Sequence, residues 1–297
     1  MRVLKICFPA RAPFNSASTV TYPMIATSRS SLIGIITFFL IAFAIPWIGW
    51  LFVQNEALSL WLFPVFASVA GFAAAFAEGG TQGLRDFSRR VFATRRALPY
   101  VLIGLFVPLS LGLGYLLTKG VPLWSTSWFP AAVLGLSLGA ALITGPLAEE
   151  FGWRGYLQHR ILHHLAPFWT ALVVGAVWWM WHFALYRTSV FSSPASALNF
   201  LAYLETWSIF MVFLVQRAGG SVWPAVALHW GANTHPGVLQ ALLPSVDGGI
   251  LPGGSKGALF YFAAACLFAI AFRRFYFSKQ EQSTITYATA NTSPKST

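Results

Sequence analysis

The sequence predicts an all-α fold of the polytopic membrane class, with eight transmembrane helices and both termini on the cytoplasmic side. Three observations predict it. Hydrophobic residues fill 57% of the 297 positions and charged residues only 9%, where a soluble domain carries roughly 25% charged residues. Eight apolar segments of near-spanning length recur along the chain. The lysines and arginines fall between those segments with a strong one-sided bias. A chain so poor in charge cannot cover a water-facing surface.

The segments lie at about 31–53, 60–77, 98–118, 130–150, 166–187, 198–216, 222–243 and 257–275. Each is near the ~20 residues that cross a hydrocarbon core about 30 Å thick. The connection from Gln54 to Ser59 is short enough to make the first two a tight hairpin. Arg89, Arg90, Arg95 and Arg96 precede the third, where contact with anionic lipid is expected. Trp124 and Trp128 follow it as interfacial anchors. The fourth ends on the adjacent acids Glu149 and Glu150, and the fifth begins after a turn near Leu165 and carries His182. Glu205 sits in the sixth amid Leu, Tyr and Trp. The seventh holds His229, Asn233 and His235, with a kink expected at Pro236. Cys266 lies in the eighth, far from Cys7. The two form no metal or redox spacing and read as inert thiols.

Charge placement orients the chain. With the N-terminus inside and eight helices alternating, the inside set is Arg2, Lys5, Arg11, Arg29, Arg85, Arg89, Arg90, Arg95, Arg96, Arg154, Arg160, Arg217, Arg273, Arg274, Lys279 and Lys295. Only Lys119, Arg187 and Lys256 fall outside, a split of 16 to 3 among the 19 cations. Lys and Arg in short loops set membrane orientation, so the split supports both the count and its sense. The net charge of +11 is therefore topological. Nucleic acid is excluded as a partner, because that reading needs a clustered basic face on a soluble domain. The organisation expected is a cytoplasmic tail over 1–30, a membrane domain over 31–277 and a polar cytoplasmic tail over 278–297. The first tail lacks the apolar core of a signal peptide. The expected location is the inner or plasma membrane.

Polar residues inside apolar segments are costly and usually functional. Segments four and five, read as an antiparallel hairpin, bring two of them level. Glu149 lies sixteen residues before Leu165 and His182 seventeen after it, so at 1.5 Å rise each is about 25 Å from the turn. Glu150 and Arg154 are i,i+4 neighbours and are expected to pair. Glu149, rotated about 100° away, is expected to remain unpaired, as suits a general base or acid. His229 and Asn233 share a face of segment seven and offer donors of the kind that stabilise an oxyanion. Glu205 is expected to bond a neighbouring helix or to line a substrate path.

Glu149-Glu150-x-x-x-Arg154, Trp178-x-x-x-His182 and His229-x-x-x-Asn233 together resemble the EExxxR, FxxxH and HxxxN motifs of the CAAX-protease and bacteriocin-processing family of intramembrane proteases. The resemblance covers about residues 130–240 and implies an eight-helix membrane fold. Trp178 departs from it, standing where the family usually has Phe, and keeps an aromatic wall with a bulkier pocket side. The resemblance implies that Glu149 and His182 activate a water for attack on a peptide carbonyl. It implies that His229 and Asn233 stabilise the oxyanion and that Glu150 and Arg154 support the site. The family is often labelled metalloprotease, and a metal-free, glutamate-activated water has also been proposed for it. Glu149, His182 and His229 are the three ligands a catalytic zinc would have, but HExxH is absent, so no required cofactor is the preferred expectation. Trp178 and Glu205 are candidates for the substrate path. The expected partners are the lipid bilayer and a membrane-associated protein or peptide substrate, prenylated or not.

Two other classes stay open from the residues. One is a non-catalytic immunity or scaffold protein on the same fold. The other is a proton-coupled transporter with Glu149 and Glu205 as relay groups. Against the transporter stand the absence of a visible inverted repeat and the presence of the HxxxN pair.

Overall fold

A computed structural model describes residues 28–53, 55–119, 131–242 and 254–278, and no strand occurs among them. The tails up to residue 27 and from residue 279, with Gln54, Cys7, Trp124 and Trp128, lie outside the described residues.

The first apolar segment forms α1 (Ser28–Phe39), a π-helical turn (Leu40–Ala44) and α2 (Ile45–Phe52). Pro46 has no N–H to give the Ala42 carbonyl four residues back. Trp181 Nε1 takes that carbonyl at 2.7 Å, and Trp47 Nε1 donates to the Trp181 carbonyl at 2.9 Å. The first span is thereby stapled to the end of a helix more than a hundred residues away, just ahead of His182.

After a short connection, α3 (Glu56–Leu62) starts at the Asn55 cap, whose Oδ1 accepts from the Leu58 N–H at 3.0 Å. It is followed by α4 (Val65–Val91). The second segment was expected to stop near 77, yet this helix runs on to Val91. Glu78 is tolerated within it because Tyr156 Oη donates to its carboxylate at 2.5 Å and Arg160 forms an ion pair with it. Gly80, at φ 60°, takes a backbone conformation open to glycine and bends the helix. The stretch bearing Arg85, Arg89 and Arg90 therefore continues the helix instead of forming a loop.

Helix α5 (Leu98–Thr118) packs on α12, described below. The fourth apolar segment is divided into α6 (Ala131–Thr144) and α7 (Pro146–Glu150) at Gly145, whose φ of −117° and ψ of −82° break the helix. A π-helical stretch (Phe151–Leu157) and α8 (Gln158–Leu162) carry the chain to the turn at 163–166. The π stretch lies backbone-to-backbone on α4. A Cβ on Gly152 would overlap the Ala67 carbonyl, and one on Gly71 would come within 2.8 Å of the Phe151 carbonyl. Burial, Arg90 and His163 hold His159 well below the usual histidine range, so at pH 7 this residue adds no charge to the turn.

The chain returns as α9 (Pro167–Trp181) and α10 (Phe183–Tyr186). Ser193 then caps α11 (Pro194–Arg217), and α12 (Trp223–Leu242), α13 (Gly254–Ala271) and α14 (Arg273–Tyr276) follow. α11 packs against both α9 and α13, and α1 against α4. The expected kink at Pro236 does not end α12, which stays helical through it. The Ala232 carbonyl that proline leaves without its usual donor accepts instead from Tyr203 Oη at 2.9 Å and His235 Nδ1 at 3.0 Å.

Each predicted apolar segment contains helix among the described residues. Four helices are long and apolar enough to cross a membrane by length and composition: Ser30–Phe52, Leu58–Val91, Leu98–Thr118 and Pro194–Arg217. Pro167–Trp181 and Ser255–Ala271 are shorter apolar helices. The protein is thus an all-helical, integral multi-pass membrane protein.

Candidate active site

One cavity of about 160 Å³ is lined by Glu149, His182, His229 and Asn233 together. They reach it from three directions. Glu149 comes from α7, His182 from the residue that follows α9, and the other two from one face of α12. The expected hairpin accounts for the first pair, since the chain turns at 163–166 and brings α9 back to the level of α7. Aromatic side chains close the space, with Trp178 and Tyr186 on the His182 side and Tyr203 and Trp207 from α11. Glu149, His182 and His229 are buried, and Asn233 is the exposed member.

The adjacent carboxylates have different surroundings. Arg154 Nη1 lies 3.0 Å from both oxygens of Glu150, the i,i+4 pair the spacing predicts. Glu150 also receives His229 Nδ1 at 2.7 Å on Oε1. It therefore joins α7 to α12 as well as to Arg154. Glu149, expected to be unpaired, accepts a hydrogen bond from Trp178 Nε1 at 2.7 Å on Oε2. Trp178, expected as an aromatic wall and a candidate for the substrate path, is thus also a hydrogen-bond donor to the site. An indole N–H buried in an apolar helix needs an acceptor, and the nearest carboxylate supplies it.

Both histidines have their Nδ1 edge committed. His182 Nδ1 is 2.8 Å from the Trp178 carbonyl, which can only accept, so this nitrogen carries the proton. Nε2 of the neutral ring is then the one with a free lone pair. His229 likewise donates from Nδ1 to Glu150, leaving Nε2 on the cavity side. Gly145 lies against that edge. A Cβ there would be 2.9 Å from Asn233 Nδ2 and 3.4 Å from His229 Nε2, so the helix break at Gly145 also makes room for the two donors. For Nε2 of His229 to donate while Nδ1 does so, the ring must carry two protons, and Glu150 supplies the counter-charge on that edge.

The remaining candidates lie elsewhere. Glu205 does not line the cavity; it packs against Gly175 of α9 and lies in the electrostatic neighbourhood of Arg154. Tyr203 and Trp207 face the cavity from the same helix. Glu205, two residues from each, points away from them. His235 is closed off by the Ala232 carbonyl and by Tyr261 Oη, 3.0 Å from its Nε2. Among the described residues no three His, Cys, Asp or Glu side chains are grouped so as to hold a metal ion. Glu149, His182 and His229 share the cavity without forming a ligand cluster.

Gly145, Tyr186, Tyr203 and Trp207 were missed from sequence. Signals existed for most of them. Gly145-Pro146 interrupts an apolar run directly before the acidic pair, and Tyr186 continues the Trp178-His182 spacing by one more turn. Tyr203 and Trp207 are an i,i+4 aromatic pair overshadowed by the charged residue between them.

Residues 131–235 match the family described as Rce1-like, type II CAAX prenyl endopeptidases. All seven motif residues fall inside that stretch. The chain is also similar to the CAAX prenyl protease 2 of Methanococcus maripaludis, with 27% identity over 184 residues covering 60% of this chain. The chain spans 63% of the length of that relative.

Proposed function

We propose, from the match of residues 131–235 to the Rce1-like type II CAAX prenyl endopeptidase family, that the chain is an intramembrane endopeptidase that cleaves a membrane-associated protein or peptide with a carboxylate-activated water. The observation that carries this reading is the convergence of Glu149, His182, His229 and Asn233 on one cavity. The family is one of peptidases, so its substrate is a protein or peptide. A prenylated CAAX sequence is the first candidate, by the name of the archaeal relative.

In this mechanism a water sits between Glu149 and the Nε2 lone pair of His182. Glu149 takes a proton from it as the water oxygen attacks the carbonyl carbon of the scissile bond. The carbonyl π electrons move onto oxygen, and the resulting oxyanion accepts from Asn233 Nδ2 and His229 Nε2 beside Gly145. Collapse of the tetrahedral intermediate breaks the C–N bond, and protonated Glu149 returns its proton to the leaving amine. Glu149, His182 and His229 act from buried positions, where preorganised dipoles act most strongly, and Asn233 adds its donor from the exposed edge of the cavity. Glu150 holds His229 in place and Arg154 balances Glu150. The same proposal has both termini cytoplasmic and eight helices in the cell membrane, supported by the 16 to 3 distribution of cations.

The test compares membranes bearing wild type, Glu149→Gln and His182→Ala by terminal-peptide profiling, alongside a farnesylated CAAX peptide as a defined probe. Both variants are expected to lose about a hundred- to ten-thousand-fold in cleavage rate, with melting in detergent unchanged. Turnover is expected to persist in EDTA. Cleavage termini that survive both substitutions would sink the mechanism.

A further inference from the structure

Trp178 touches four polar residues of the site: Glu149, His182, Arg154 and His229. Its Nε1–H donates to Glu149 Oε2 at 2.7 Å, and its carbonyl accepts from His182 Nδ1 at 2.8 Å. The Arg154 guanidinium carbon lies over its ring, 4.4 Å from the centroid. The His229 ring meets it edge to face at 5.0 Å. The side chain is 2% exposed, so none of these contacts competes with bulk water.

Three of the four contacts need only an aromatic ring or a backbone carbonyl, and a phenylalanine would keep them. The fourth needs the indole N–H. Besides a larger ring, that N–H is what this chain's tryptophan has and the phenylalanine that the family motif usually carries here lacks. Glutamate has three rotatable side-chain bonds, and a base that must meet a water at one position gains from having them fixed beforehand. With Oε2 tied to the indole, the other oxygen, for which no protein donor is found among the described residues, is left for the cavity.

The ring itself is held by its neighbours. Arg154 lies over its face while binding both Glu150 oxygens, and a cation over an indole face is attracted by the ring quadrupole. One guanidinium therefore orients both carboxylates: Glu150 directly, and Glu149 through the tryptophan.

We propose that Trp178 is a positioning residue, whose indole N–H fixes Glu149 so that one carboxylate oxygen faces the attacking water. This rests on the reading of Glu149 as the base.

The experiment uses the full-length protein in detergent and a quenched peptide built on whichever bond is cleaved in a Glu149-dependent manner in membranes. Trp178→Phe keeps an aromatic ring and removes the donor together with the second ring, and benzothienylalanine removes the donor alone. The kcat of Trp178→Phe is expected to fall about 10- to 100-fold with KM and melting temperature unchanged. Should the phenylalanine variant fail to fold, benzothienylalanine at 178 keeps the bicyclic shape with sulfur in place of N–H, and the same kcat loss is expected. A folded variant of either kind with wild-type kcat overturns the positioning role, provided Glu149→Gln is inactive. A loss confined to KM overturns it as well, since that would make Trp178 a substrate-binding wall. If Glu149→Gln keeps turning over, the base assignment falls and takes the positioning role with it.

Discussion

Two buried glutamates in this protein differ in what is left over once their protein partners are counted. Glu78 on α4 is met by Tyr156 Oη and by Arg160, so two other elements of the chain converge on one carboxylate. Glu149, on the short helix after Gly145, has a single donor among the described residues, Trp178, and borders a cavity. The first arrangement is a clamp, because its charge is matched where the helices meet. The second leaves acceptor capacity facing a space that a small molecule can enter. A buried carboxylate in an apolar protein is costly unless it is compensated. The compensation at Glu78 is nearly complete and the compensation at Glu149 is partial, which is the condition for chemistry.

The sharpest break of this comparison is to neutralise each acid in turn. Glu149→Gln is expected to remove activity while leaving unfolding in detergent as in the wild type. Glu78→Gln is expected to do the reverse, lowering stability by about 2–4 kcal/mol. That is less than the full cost of splitting a wholly buried pair, because the Arg160 side chain is 22% exposed. Its kcat per folded molecule should be that of the wild type. If Glu78→Gln lost turnover at full stability, the distinction between clamp and site would fail.

A smaller effect is expected at Gly145→Ala. Stability should change by about 1 kcal/mol, the scale of a glycine–alanine exchange. The added methyl would press on Asn233 Nδ2, 2.9 Å from where it would sit. Displacing one oxyanion donor costs up to about 10²–10³ in kcat, and partial displacement should cost about tenfold. Full activity in this variant would remove Gly145 from the site.

Much of this was legible in the sequence, for physical reasons that differ by residue. The pairing of Glu150 with Arg154 follows from helical spacing, and it survives the π-helical stretch that begins at Phe151. The level placement of Glu149 and His182 follows from counting rise along a hairpin. What could not be read was anything that depends on which faces meet. Trp178 as a donor to Glu149, and Glu150 as the partner of His229, both cross between helices, and periodicity within one helix does not constrain them. The extension of α4 to Val91 was hidden because Glu78 looks like an end of an apolar run until Tyr156 and Arg160 are brought to it. Prolines gave a partial signal. Each one inside a helix marks a carbonyl four residues earlier that needs a new donor, but the identity of that donor, Trp181 for Ala42 and Tyr203 with His235 for Ala232, is tertiary information.

The same contrast recurs on a smaller scale within α12, where His229 and His235 are both buried. His229 bonds Glu150 through Nδ1 and keeps Nε2 for the cavity. His235 has no edge left: Nδ1 faces the Gly231 and Ala232 carbonyls at 3.2 and 3.0 Å, and Nε2 is met by Tyr261 Oη at 3.0 Å. Since carbonyls only accept, Nδ1 holds the proton and Nε2 accepts from the tyrosine. Tyr261→Phe removes that donor and leaves a buried ring nitrogen unsatisfied, which should cost about 1–2 kcal/mol. The phenyl ring would retain the packing against Trp207 and Tyr203, at 5.6 and 6.0 Å between centroids, so the loss should be confined to the hydrogen bond. Turnover should be unaffected, because His235 does not line the cavity. A Tyr261→Phe variant of normal stability with reduced kcat would mean that this closed histidine communicates with the site along α12, and the division between the two would have to be redrawn.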